Sequence, residues 1–179
     1  MKLAILDRDG VINHDSEHYI KSPEEWLALP GSLEAIARLS RAGWRVVVAS
    51  NQSGLARGLF TMETLNAIHA KMRKEAAAAG GSIDAVFVCP HGPDEGCGCR
   101  KPEPGLFLDI GRRYDTDLRD VPVAGDSLRD LQAASAAGCS PWLVLTGNGR
   151  KTWDKGDLPA GTQVVEDLAT AVDAWLQET

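Results

Sequence analysis

Short apolar runs alternate along this chain with longer stretches in which apolar positions recur three and four residues apart. Leu3–Leu6 and residues 46–49, 85–88, 121–124 and 142–145 read as buried strands. Between them, residues 31–41 predict a helix opened by a Ser32 cap, with Leu33, Ile36, Ala37 and Leu39 on one face. Residues 61–79 predict a long helix in which Met62, Leu65, Ile68 and Met72 recur at helical spacing. Gly105–Tyr114, residues 128–137 and Leu168–Gln177 are the remaining helical patterns, and Val164-Val165 predicts a short edge strand. Pro122 suits only the first residues of its strand or an edge. Apolar strands alternating with amphipathic helices imply an α/β fold, a doubly wound Rossmann-like parallel sheet covered on both faces. With no repeat, low-complexity tract or linker, residues 1–179 are expected to form a single domain. The stretch between Gly10 and the second strand leaves no room for a cap domain, so loops such as 14–29 must cover any site.

Charge changes the picture by exclusion. The chain has 19 basic and 25 acidic residues, a net charge of −6, which argues against a nucleic-acid partner. It carries neither a signal-peptide pattern nor an apolar stretch that could span a membrane, so the expectation is a cytoplasmic protein with no membrane partner. Four cysteines in such a chain read as thiols or metal ligands rather than disulfides.

In a doubly wound sheet, ligands bind beyond the carboxyl ends of the strands. Polar clusters fall at four such ends: Asp7-Arg8-Asp9-Gly10, Ser50-Asn51-Gln52-Ser53-Gly54, Cys89-Pro90-His91, and Gly125-Asp126-Ser127 with Asp130. Any one of them could be a helix cap or turn, but four on one edge point to a site. Two aspartates flanking Arg8 repel each other unless positive charge arrives there. Asp7, Asp9 and Asp126 together can hold Mg²⁺, a hard cation that shares oxygen ligands with phosphate. Ser50 and the amides after it can hold phosphate oxygens, Lys101 can neutralise a transferred phosphoryl group, and an aspartate can be the nucleophile.

The third cluster continues as "CPHGPDEGCGC", which sets out Cys89, His91, Cys97 and Cys99 with the ligand types of a closed tetrahedral Zn²⁺ site, structural rather than catalytic. The residues between them have no core of their own, so a metal gives this zinc-binding loop a reason to be ordered. The alternative is a free-thiol surface loop. Cys139 lies apart and reads as packing.

"DRDG", "SNQSG", "CRKP" and "GDSLRD", in that order, resemble the four motifs of the haloacid dehalogenase superfamily of phosphatases. The resemblance implies that Asp7 is the nucleophile, that Asp9 is first general acid and then base, and that Ser50 and Lys101 steady the phosphoryl group. It implies that Asp7, the Asp9 backbone carbonyl and Asp126 ligate Mg²⁺. A zinc loop leading into "CRKP" is similar to the subgroup of bacterial heptose bisphosphate and histidinol phosphatases. That likeness implies a small-molecule sugar bisphosphate as substrate, heptose supply for the lipopolysaccharide core as the setting, and a monomer. Histidinol phosphate, or another small sugar phosphate, is the alternative. It also implies that Asp15, His18 and Tyr19, with Ser50, Asn51, Gln52 and Ser53, line the site beside Lys101, and that Arg100 recognises substrate.

Other residues stay open. His14 and His18 read as solvated loop residues, with a sugar contact from His18 as the other possibility. Trp26 reads as an anchor for its loop. Arg57 is either a second-phosphate contact or a solvated charge, and Asp130 either orients the Mg²⁺ shell or is a surface helix acid. Phosphate-accepting response domains share the acidic cluster but lack both the second aspartate and the zinc loop.

Overall fold

The computed structural model describes residues 1–177. Six strands form one parallel sheet: β1 (Leu3–Leu6), β2 (Arg45–Asn51), β3 (Ala85–Cys89), β4 (Pro122–Gly125), β5 (Ser140–Val144) and β6 (Gln163–Val165). Their order is β3-β2-β1-β4-β5-β6, so the chain winds outward from β1 in both directions. The helices are α1 (Ser32–Arg41), α2 (Met62–Ala78), α3 (Gly105–Tyr114), α4 (Leu128–Ala136), α5 (Gly149–Lys155) and α6 (Leu168–Gln177).

The period-2 alternation of each strand feeds two cores. Ala4, Leu6, Val46 and Val48 pack on one face against Ile36 and Leu39 of α1, Ile68 and Met72 of α2, and Val172 of α6. Leu3, Ile5, Val47 and Ala49 pack on the other against Phe107 and Ile110 of α3 and Ala133 and Ala134 of α4. Pro122 opens β4, the one strand position that loses least from its missing N–H.

Two local expectations change, and one helix was not expected. Gly31, not Ser32, stands at the N-cap of α1, with φ 81°, a left-handed conformation that suits glycine. Ser32 Oγ instead donates to Val11 O at 2.7 Å. Met62 is exposed at the first turn of α2, outside the buried Leu65–Ile68–Met72 stripe, because Thr61 caps the helix there. Helix α5 carries no apolar period, and Trp153 on it is exposed.

Between β1 and β2 the described residues include only a short 3-10 turn (Pro23–Glu25) and α1, with no cap domain. Trp26 is fully buried in the first core. Lys71 of α2 donates to Pro23 O and Trp26 O at 2.8 Å each, which pins the covering loop to the body of the protein. No helix among the described residues is long and apolar enough to cross a membrane.

Candidate active site

Asp7 leaves the end of β1 and Asp126 the end of β4, the two central strands at which the winding reverses. Such a reversal opens a crevice at the carboxyl edge of the sheet. The strands are locked there by Asp7 N donating to Ala124 O at 2.9 Å. Gly10, at φ 82°, lets the chain turn against Asp126, and a Cβ there would collide with Asp126 Oδ2.

Carboxylate oxygens of Asp7, Asp126 and Asp130 lie within 4.8 Å of one another. The Lys101 ammonium, 2 % exposed, sits 3.1 Å from Asp7 Oδ1 and 2.6 Å from Asp130 Oδ1, and donates to Ala49 O at 2.9 Å. Asp130 is 1 % exposed, so the surface reading of this acid does not hold; its Oδ2 accepts from Ser127 N at 3.1 Å and Ser127 Oγ at 2.8 Å.

Two buried carboxylates, Asp126 and Asp130, and the partly exposed Asp7 gather beside one ammonium and leave negative charge uncompensated. Burial, and next the Asp130 charge, push the Asp7 carboxyl up to about 7 against the pull of Lys101. Burial, then Asp130 and Asp7, push Asp126 up to about 8. Burial also opposes ionisation of Asp130, but Lys101 and the Ser127 hydroxyl outweigh it and hold that carboxyl below the usual range. For Lys101 too, burial is outweighed, by Asp130 and Asp7, and its ammonium is held above the usual value. An all-oxygen donor set short of positive charge fits a hard divalent cation such as Mg²⁺.

Asp9 stands apart from this cluster. Its Oδ1 accepts from Asn13 Nδ2 at 2.8 Å and from Arg8 Nε at 3.0 Å, and its Oδ2 accepts from Arg8 Nη2 at 3.1 Å and Gln52 Nε2 at 3.3 Å. The Asp9 carboxylate is thus held at both oxygens, in a fixed orientation, on the rim of the crevice.

Ser50, next to last in β2, is buried and accepts from Gln52 Nε2 at 2.8 Å. Asn51 exchanges two hydrogen bonds with the backbone of Lys101, Nδ2 to Lys101 O at 3.1 Å and Lys101 N to Oδ1 at 3.0 Å. The amides of Asn51 and Gln52 are thus committed to holding Lys101, Ser50 and Asp9. Asp9, Asp15, Tyr19, Asn51, Gln52 and Ser53 line a cavity of ≈ 220 Å³. Its remaining wall includes Arg57, Arg100 and Arg129. Tyr19 holds φ 66°, a strained conformation for a bulky residue, while turning into this wall. His18 is exposed and is not among the lining residues.

Four residues of the site were not singled out by sequence reasoning. Arg8 is fully buried behind Asp9 and His69 behind Arg8. Asn148 bridges the site, its N donating to Asp126 Oδ2 at 2.8 Å and its Nδ2 to Asp15 Oδ2 at 2.9 Å. Arg129 comes just after the Asp126-Ser127 turn. Asn148 was detectable, since Thr146-Gly147-Asn148 lies beyond β5 at the same sheet edge. Arg8 was masked by the acids on either side of it.

Beside the crevice, ligand atoms of Cys89, His91, Cys97 and Cys99 also lie within 4.8 Å of one another. Cys97 Sγ is 3.6 Å from Cys89 Sγ and 3.7 Å from Cys99 Sγ. Those spacings match the tetrahedral edge of about 3.8 Å that Zn–S bonds of about 2.3 Å would set. His91 Nδ1 is 3.5 Å from Cys89 Sγ and 3.3 Å from Cys99 Sγ, while the Cys89 and Cys99 sulfurs are closer, at 2.9 Å. Burial, then Cys89 and Cys97, push the Cys99 thiol up to about 12; at Cys97, burial is outweighed by hydrogen bonds with the Arg100 backbone, Cys89 and Cys99 together, and the value falls to about 6. Crowded sulfurs with one imidazole form a donor set that a soft or borderline cation would satisfy. The knot also holds the residue next to it in sequence, since Arg100 Nη1 donates to His91 O at 3.3 Å.

Two family models match the chain, one described as polynucleotide kinase 3 phosphatase over residues 2–131 and one as HAD-hydrolase-like over residues 98–171. The D-glycero-beta-D-manno-heptose-1,7-bisphosphate 7-phosphatase of Bordetella bronchiseptica is 67% identical, with 99% of each chain covered. The protein of that name from Pseudomonas aeruginosa is 53% identical, with 98% of each covered. The crystal structure of the D,D-heptose 1,7-bisphosphate phosphatase of B. bronchiseptica, complexed with magnesium and phosphate, superposes with a TM-score of 0.99 at 66% identity over 100% of both chains. That of Burkholderia thailandensis superposes at 0.80 with 54% identity, covering 98% of this chain and 99% of the other.

Proposed function

The chain belongs to the HAD-like phosphatases, in the branch formed by the D-glycero-beta-D-manno-heptose-1,7-bisphosphate 7-phosphatases, and on that premise we propose that it removes the 7-phosphate of D-glycero-D-manno-heptose 1,7-bisphosphate through a phosphorylated Asp7. The observation that carries this reading is Asp7 at 3.1 Å from the buried Lys101 ammonium, beside a cavity walled by Arg57, Arg100 and Arg129. A carboxylate can attack an anionic ester only where countercharge is already fixed, and a second phosphate needs cations of its own.

In the first half-reaction Asp7 attacks phosphorus in line with the ester oxygen, the bond from phosphorus to that oxygen breaks, and Asp9 passes its proton to the leaving alkoxide. In the second, Asp9 takes a proton from water as the water oxygen attacks the same phosphorus. The bond to Asp7 then breaks and inorganic phosphate leaves. Ser50 and Lys101 hold the phosphoryl oxygens. Asp7, the Asp9 carbonyl and Asp126 would hold Mg²⁺, with Asp130 close by; the ion would screen the charge between carboxylate and phosphate. Cys89, His91, Cys97 and Cys99 would hold Zn²⁺, which would serve a structural role there by keeping Arg100 and Lys101 in place. Asp15, Tyr19 and Ser53 face the sugar, and Arg100 grips the phosphate that stays. The protein works as a single-domain cytoplasmic monomer supplying heptose for the lipopolysaccharide core.

The test compares kcat/KM for heptose bisphosphate and histidinol phosphate on purified protein with Mg²⁺. Histidinol phosphate would leave the arginines of the cavity unpaired, so the bisphosphate should be preferred by about 100-fold or more. A preference for histidinol phosphate would overturn the substrate assignment.

A further inference from the structure

Arg8 carries a charge to a fully buried position, 0 % exposed, between the two aspartates of the first motif. Two of its nitrogens are committed to Asp9: Nε donates to Oδ1 at 3.0 Å and Nη2 to Oδ2 at 3.1 Å, a fork that fixes the plane of the carboxylate. The third, Nη1, meets His69 Nε2 at 3.1 Å. A guanidinium has no acceptor, so Nε2 must accept and the ring proton must sit on Nδ1. Burial, then the Arg8 charge, pull His69 down to about 3, which keeps the imidazole neutral and able to accept. His69 lies on the buried stripe of α2, one turn from Leu65 and Met72 and adjacent to Ile68, so its ring is carried by a packed helix rather than a loop.

The geometry points to a buried tether, His69–Arg8–Asp9, in which His69 is a positioning residue: by fixing the free arm of Arg8 it sets the aim of the Asp9 carboxylate. Without an acceptor on α2, the guanidinium is anchored only by the group it is meant to orient. Asn13 and Gln52 each reach one Asp9 oxygen, but only Arg8 spans both and connects them to a helix. The inference rests on reading Asp9 as the acid and base of the reaction.

The consequence is a defect confined to proton transfer. His69→Leu removes the acceptor at similar volume, whereas His69→Gln offers an amide oxygen near the place of Nε2. On heptose bisphosphate with Mg²⁺, His69→Leu should lower kcat about tenfold or more with KM changed less than about twofold, and His69→Gln should restore most of the loss. Phosphorylation by nitrophenyl phosphate, followed as the first-turnover release of nitrophenolate, should be nearly unaffected, because that leaving group needs no proton. A loss of packing alone would depress both esters together and would not be rescued by Gln. The ring is also read directly in the unaltered protein, whose His69 ¹⁵N shifts should report a neutral ring protonated on Nδ1.

Unchanged kcat in His69→Leu, equal losses on the two esters, or a ring protonated on Nε2 would each overturn the tether. Asp9→Asn, run alongside, should itself lose far more on the sugar ester than on the nitrophenyl ester. Equal losses in that variant would overturn the acid–base reading of Asp9, a failure distinct from a normal Asp9→Asn pattern with a silent His69.

Discussion

Asp130 and Lys101 form an ion pair at 2.6 Å in which neither side chain is more than 2 % exposed. Lys101 bridges from there to Asp7 at 3.1 Å, so Asp130 governs where the ammonium stands relative to the nucleophile. Breaking such a pair leaves a buried charge without its partner. Asp130→Asn should therefore cost about 3 kcal/mol of stability and about 100-fold or more in kcat. Denaturant titration and steady-state kinetics check this. A neutral effect on both would show that Asp130 does not set the position of Lys101.

The carboxylate cluster also fixes how stability depends on pH without metal. Asp7 and Asp126 are raised to about 7 and about 8. The folded protein therefore binds these protons more tightly than the unfolded chain, whose aspartates ionise near about 3.9. Their stabilising contribution is full below that value and is lost as pH rises through the folded values. In chelator-treated protein Tm should fall by about 5 °C or more between about pH 5 and about pH 9. Saturating Mg²⁺ should raise Tm more at the alkaline end. Calorimetry showing the opposite slope would mean that these acids do not sit together without a cation.

Purified protein should carry about one Zn²⁺ per chain. Cys97→Ser should lower that content, release the Arg100 side chain from His91 O, and reduce turnover while leaving the Mg²⁺ cluster formed. Elemental analysis with a Mg²⁺ titration of the variant reads both effects. Full activity in zinc-free protein would remove the structural role assigned to the loop.

Arg100→Ala should weaken selection for a sugar bisphosphate over its matched monophosphate more than it slows the chemical step, with a loss on the bisphosphate of about tenfold or more. Equal proportional losses on the two substrates would show that Arg100 does not read the second phosphate. Arg57 and Arg129 line the same cavity and would then be the residues to vary.

The strands and most helices were legible because their apolar residues carry the pattern themselves: Leu3 and Ile5 face one core, Ala4 and Leu6 the other. Helix α5 was not, since Gly149–Lys155 has no apolar stripe; it is closed by Gly156 N donating to Trp153 O and held by Thr152 Oγ1 donating to Asp126 O at 2.8 Å. The site was legible where chemistry-bearing residues come directly after a strand or at its end, as Asp7, Ser50 and Asp126 do. It was hidden where burial decides the role. Arg8 and Asp130 look like surface charges in the sequence, and only the packing of α2 and α4 onto the sheet makes one a fork behind Asp9 and the other the partner of Lys101. Asn51 and Gln52 were found, but the partners of the Asn51 amide depend on where the backbone of Lys101 runs, and those of the Gln52 amide on how Ser50 and Asp9 face each other.

In the proposed reaction the phosphoryl group passes through Asp7. Asp9→Asn protein, mixed with heptose bisphosphate and Mg²⁺ and quenched in acid during the first turnover, should yield a phosphorylated peptide by mass spectrometry. The group should map to Asp7, and the Asp7→Asn protein should yield none and turn over no substrate. Near-normal turnover by Asp7→Asn, or first-turnover phosphate release with no phosphoryl group on Asp7, would contradict that claim.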